Sequence, residues 1–182
     1  MKQLRTTLVC ALTSVMVGAI AGAAAAQTPA SKPPPTPAQA ITATFTSLNQ
    51  RILQMAEDWP EAKYGFRLDE KANPPVRSFG EVLVHIMGGN IYAAKRGRGE
   101  TANWDEVDPK TLNGKAAIVA AYKKSMDDAI ASLKAIPPEQ FQKTLAPWLS
   151  VIEHDAEHYG QLIAYYRANG VVPPASRKGG SQ

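Results

Sequence analysis

Cysteine is almost missing from this chain of 182 residues, and the only one, Cys10, lies close to the N-terminus. No internal disulfide can form, and a Cys-rich zinc module or a c-type haem attachment site is excluded with it. Histidine is scarce as well, with His85, His154 and His158 making up the full set. No charge of one sign dominates: 20 Lys+Arg against 16 Asp+Glu leave a formal +4. That surplus supplies no clustered basic face of the kind nucleic-acid recognition needs. The densest basic run, Lys95-Arg96-Gly97-Arg98, reads as a solvated helix end. Strand-type alternation and internal repeats are also lacking. What is present is a 45% apolar content, enough for one packed core in a chain of single-domain length.

The N-terminus has the make-up of an export signal. Lys2 and Arg5 precede an apolar stretch from Leu8 to Ile20, and Gly22 to Ala26 offers small residues for cleavage before Gln27. The competing reading is an uncleaved anchor, against which stands an Ala- and Gly-rich second half that inserts weakly into lipid. Cys10 is preceded by Leu8-Val9 rather than by the small residue of a lipoprotein site, and it lies too early. Cleavage would leave 156 residues, no cysteine and 18 basic against 16 acidic side chains, so the charge falls to +2. The expected organisation is a signal peptide over 1–26, a Pro-rich linker over 27–37, a helical domain over 38–176 and a short tail over 177–182. The protein is expected in the periplasm or secreted, with no stable membrane anchor once the signal is removed.

Within the domain the apolar period is helical. Ile41, Phe45, Leu48, Ile52, Leu53, Met55 and Ala56 recur at three- and four-residue steps, with Asn49, Gln50 and Gln54 between them, and Pro60 ends this first helix. Ser78 and Glu81 form a capping-box pattern that opens a second helix, with Phe79, Val82, Leu83, Ile86, Met87 and Ile91 as its buried side. Gly88-Gly89 costs that helix about 1 kcal/mol per glycine relative to alanine, which points to close approach of another backbone. A third helix runs from about Lys115 to Ala135 with Ile118, Tyr122, Met126, Ala129, Ile130 and Leu133 as its stripe. Residues 139–146 are expected to form a short turn, with Pro147 near the first turn of a fourth helix that reaches Asn169 and stops at Gly170. Four amphipathic helices joined through long connections at 60–77 and 97–114 predict an all-α, antiparallel four-helix bundle.

The histidines give this bundle a candidate site. His154 and His158 stand four residues apart, so both imidazoles project from one face of the fourth helix. His85 lies midway along the second helix, which can pack beside the fourth. Three neutral imidazoles make a facial ligand set for a divalent ion with positions left open. The residues alone leave a second reading open, in which the pair is a surface feature and His85 a hydrogen-bonded core side chain. His154-Asp155-Ala156-Glu157-His158 also matches the H-x-x-E-H pattern of inverted zinc peptidases, but no Asp or Glu follows His158 to supply that family's further ligand.

The same residues carry a resemblance. His154-Asp155-Ala156-Glu157-His158-Tyr159-Gly160-Gln161-Leu162, followed by Tyr166-Arg167-Ala168-Asn169-Gly170 and a Pro-containing tail to Ser176, resembles the C-terminal signature of the DinB-like family. Ser78-Phe79-Gly80-Glu81-Val82-Leu83-Val84-His85 resembles that family's second-helix motif. The likeness spans about residues 40–176. It implies a four-helix bundle holding a divalent metal, zinc or nickel, with His85, His154 and His158 as ligands. It also implies either a metal-dependent hydrolase or a thiol-dependent S-transferase. Tyr159 stands where the family often has arginine, beside the ligands. Export argues against thiol transfer, because the small thiols of the transferases are mainly cytosolic.

Other residues are read more plainly. Trp59, Trp104 and Trp148 suit core positions rather than a substrate pocket. Tyr165 is on nearly the same face as His158, where a buried tyrosine bonded elsewhere competes with a donor to a metal-held ligand. Glu81 is assigned to its cap rather than to orienting His85, and Gly160 and Gln161 to helix packing. Glu81, Asp155 and Glu157 are the candidates for a fourth ligand. Two functions follow: a metal-dependent hydrolase of an unidentified small molecule, or a non-catalytic bundle in which the ion staples two helices. A homodimer is compatible with either.

Overall fold

The computed structural model describes residues 33–177 and residue 179. The leader read over 1–26 and residues 27–32 of the linker read over 27–37 lie outside the described residues, as does most of the 177–182 tail. Four helices form the domain: α1 (Pro37–Asp58), α2 (Phe79–Gly97), α3 (Gly114–Ala135) and α4 (Pro138–Ala168), with three short 3-10 turns and no strand among the described residues.

The helix starts follow local chemistry. Thr36 and Gln39 close a capping box over α1, whose first position is Pro37, and Ser78 and Glu81 close another over α2. The start of α4 departs from the sequence reading: the helix begins at Pro138, and residues 139–146 are its opening turns rather than a separate turn. Pro138 sits where a helix has no use for an amide hydrogen. Pro147, now inside the helix, forfeits the bond toward the Lys143 carbonyl. Phe141 and Trp148, both buried, fasten the helix on either side of that gap.

Residue contacts fix the directions of the helices. Asn49 meets Tyr122 and the Glu57 carbonyl meets Lys115, so α1 and α3 are antiparallel. Phe79 packs on Tyr165, His85 on His154 and Gly97 on Trp148, so α2 and α4 are antiparallel as well. Phe45 packs on Trp148, Asn49 on Asp155 and Met55 on Tyr166, which sets α1 parallel to α4. Gly80 beside Ile118 and Ala94 beside Ser132 set α2 parallel to α3. The bundle therefore runs up, down, down, up. Because α2 and α3 point the same way, the connection of residues 98–113 has to travel back along the bundle, roughly 28 Å for a helix of 19 residues. It does so across α2: the Asp105 carbonyl oxygen comes within 2.8 Å of where a Cβ on Gly88 would lie. The close backbone approach expected at Gly88-Gly89 is thus made by this connection, while α4 supplies Val151 and His154 against Gly89.

The apolar core divides in two. One cluster gathers Ile52, Trp59, Phe79, Leu83, Tyr122 and Tyr166, with Trp59 stacked on Phe79 at 4.6 Å between ring centroids. The other gathers Phe45, Ala93, Leu133, Phe141, Trp148 and Val151. Between them lie buried polar residues, Asn49, Asn90 and Asp155, each fully inaccessible. Asn49 was placed by its sequence pattern among the polar residues of α1 and instead faces the bundle axis. Asn90 likewise takes the inward position on α2, which turns Ile91, expected in the core, out to solvent at 39% exposure. Among the described residues no helix is long and apolar enough to cross a membrane.

Candidate metal centre

His85 reaches the site from the middle of α2, and His154 and His158 from adjacent turns of α4. The ring centroids are 4.8 Å apart for His85 and His154, 4.7 Å for His85 and His158, and 4.4 Å for His154 and His158. One nitrogen from each ring falls within 4.8 Å of the other two, and among the described residues no carboxylate joins this group. The side chains of His85 and His154 are 14% and 17% exposed, so the site opens at the surface of the bundle.

The outer nitrogens are all engaged. The Glu106 carboxylate lies 2.7 and 2.8 Å from His85 Nδ1 through its two oxygens. The Gln161 amide oxygen is 2.8 Å from His158 Nδ1, and Asp155 Oδ1 is 3.2 Å from His154 Nδ1. Each oxygen accepts from an Nδ1–H, so each Nε2 is left as the coordinating atom. An acceptor on the outer nitrogen is the arrangement that orients metal-ligating imidazoles and raises their basicity. His85 Nε2 and His154 Nε2 approach to 2.9 Å, a contact with room for one proton between them. A divalent ion held by these nitrogens would take the place of such a proton. The donor set therefore fits a divalent ion that accepts nitrogen ligands. Burial holds the His158 imidazole below its usual range, against the hydrogen bond to Gln161 that raises it, and so favours the neutral, ligating form.

The residues named as fourth ligands are elsewhere employed. Glu81 caps Ser78 and pairs with Arg67 at 2.7 Å, and Asp155 faces the interior. Glu157 is exposed. The carboxylate that orients His85 is Glu106, a residue of the 98–113 connection that sequence pattern does not single out. Gln161 is not a packing residue but the partner of His158. Gly160 is exposed with open space around it, so its missing side chain serves no helix contact. Tyr165 donates to the Arg77 carbonyl and is buried, away from the role of a donor at the site. Tyr159 packs against the larger apolar cluster. Trp59 and Trp148 are core residues, but Trp104 lies beside the site, 4.8 Å from the His154 ring and stacked on Tyr92 at 5.2 Å.

Behind His154 the polar layer continues. Asp155 Oδ2 accepts from Asn49 Nδ2 at 2.8 Å. Asn49 Oδ1 in turn accepts from Asn90 Nδ2 at 3.0 Å and from the Tyr122 hydroxyl at 2.6 Å. Burial raises the Asp155 carboxyl, and the hydrogen bonds from His154 and Asn49 work against that rise. Asn90 Oδ1 has no partner, a loss worth about 1–3 kcal/mol for a buried acceptor.

A family model described as the DinB superfamily matches residues 44–164, which include all three histidines. The chain belongs to the DinB superfamily. No match was found among curated proteins. Membership of the DinB superfamily accords with the helical bundle and with three histidines that could hold a metal ion.

Proposed function

We propose that this DinB superfamily protein is a metal-dependent hydrolase, acting on a small molecule outside the cytoplasm, with His85, His154 and His158 as ligands to zinc or nickel. The observation that carries the reading is the donor set itself: three inward Nε2 atoms, three outward Nδ1 atoms with acceptors, and no carboxylate in the group. A staple would close the coordination shell with a fourth protein ligand. The geometry favours a shell with exchangeable positions on the solvent side.

The ion supplies Lewis-acid chemistry, polarising a substrate oxygen or acidifying water. The protein's own groups do the rest. Glu106 orients His85 and is itself half in solvent, with Arg77 3.4 Å away holding one of its oxygens. Trp104 walls the His154 side. Gln161 sets the His158 ring. Residues 1–26 support export, the part of the proposal that rests on the sequence.

Metal analysis of the purified chain beside the His154→Ala, His158→Ala double variant tests the site. About one equivalent of zinc or nickel in the parent and none in the variant is expected; equal content in both overturns the site. Hydrolysis of an ester, amide and thiol-conjugate panel by the loaded parent, lost in the variant, supports the reaction class. A loaded parent that gains thermal stability but turns over none of the panel favours the staple.

A further inference from the structure

The two apolar clusters are separated by a polar layer to which every helix contributes one residue: Asn49 from α1, Asn90 from α2, Tyr122 from α3 and Asp155 from α4. The layer touches the histidine site at one point, His154 Nδ1. The other two rings are oriented from outside, by Glu106 on a connection and by Gln161 one turn along α4. His154 alone is oriented from the interior.

The direction of the amide of Asn49 decides what that interior contact can do. Its oxygen receives two hydrogens, one from Asn90 and one from Tyr122. With the oxygen so occupied, the amide nitrogen faces Asp155 and donates to it. Asp155 then presents its other oxygen to His154 as an acceptor, which fixes the ring with Nε2 toward His85 and His158. An inverted Asn49 amide would set oxygen against carboxylate. The arrangement is not the one that best stabilises the bundle, since it leaves Asn90 Oδ1 without a partner in a fully buried position. Well-packed apolar side chains would satisfy the same space with no orphaned acceptor.

We propose that Asn49, held by Asn90 and Tyr122, is a positioning residue for the metal centre, acting through Asp155 to fix the His154 ring from the far side of the bundle. The inference rests on the three-histidine reading above. Its consequence is that metal affinity depends on residues in α1 and α3 that touch no ligand.

The test compares the full chain with Asn49→Leu, Tyr122→Phe and, as a control, Ile52→Val, a buried apolar change one turn along α1 with no polar contact. Zinc affinity is read by competition with a chromophoric chelator, and ligand geometry by the visible absorption of the cobalt(II)-loaded proteins. Asn49→Leu is expected to weaken zinc by about tenfold to a hundredfold and to alter the cobalt spectrum, as loss of an outer partner does at metal sites. Tyr122→Phe is expected to shift both readouts in the same direction by less, and Ile52→Val to leave both at the parent values. A folded Asn49→Leu chain with zinc affinity within about twofold of the parent and the parent cobalt spectrum overturns the proposal, whatever its melting temperature. If Asn49→Leu does not fold, Tyr122→Phe decides: parent-like affinity and spectrum overturn the proposal. A parent chain that takes up no metal is a different result, because it removes the three-histidine reading and this inference with it.

Discussion

Single residues separate along the line between those that repeat at helical spacing and those that do not. The histidine pair of α4 is visible from its four-residue spacing, and His85 from its place on an amphipathic helix. Glu106 has no such signal, because it lies 21 positions from His85 on a segment without periodicity. Asn49 was hidden differently: a polar residue flanked by Gln50 reads as a solvated side, and only the placement of three other helices turns it inward. The glycines make the same point and can be tested. A Cβ on Gly89 would lie 2.7 Å from the Trp104 ring and 3.1 Å from Val151, whereas one on Gly160 would meet nothing within 4 Å. Gly89→Ala is therefore expected to destabilise the protein by about 1–3 kcal/mol through overpacking. Gly160→Ala should stabilise it by up to about 1 kcal/mol through helix propensity. Urea unfolding of the two variants beside the parent checks both signs.

At the scale of elements, the connection of residues 98–113 is more than a linker. The parallel course of α2 and α3 obliges it to cross the face of α2, and in crossing it delivers Trp104 to the His154 ring and Glu106 to His85. The sequence marks this stretch as a long loop through its glycines and proline, and says nothing of where it lies. Its course depends on helix directions, which short-range patterns do not encode. The two capping boxes, by contrast, are local devices, and the one at Ser78 was legible. A further measurement belongs here. Glu106→Ala removes the acceptor on His85 Nδ1 without touching either apolar cluster. It is expected to weaken zinc binding by about tenfold, read by chelator competition, while the far-UV circular dichroism stays that of the parent.

For the whole molecule, the histidine site joins α2 to α4, so an ion that binds only the folded form stabilises the entire bundle. Zinc at about a hundred times its dissociation constant should add about 2.7 kcal/mol to the unfolding free energy. Calorimetry with added zinc is expected to show a raised Tm that a chelator returns to its starting value. The His154→Ala, His158→Ala chain should show neither change. The fold class was legible at this scale, since four amphipathic segments without strand alternation leave few alternatives to a bundle. The order of helix directions was not, and it has a bearing on how the chain acquires its structure. The polar and aromatic contacts between α1 and α4 join residues 103 to 111 positions apart. Long separations of that kind slow the search for the native topology. A chain that emerges N-terminus first from a ribosome exposes part of the apolar stripe of α1 until its final helix is delivered. The helix that carries two of the three histidines is thus also the one that shelters the first.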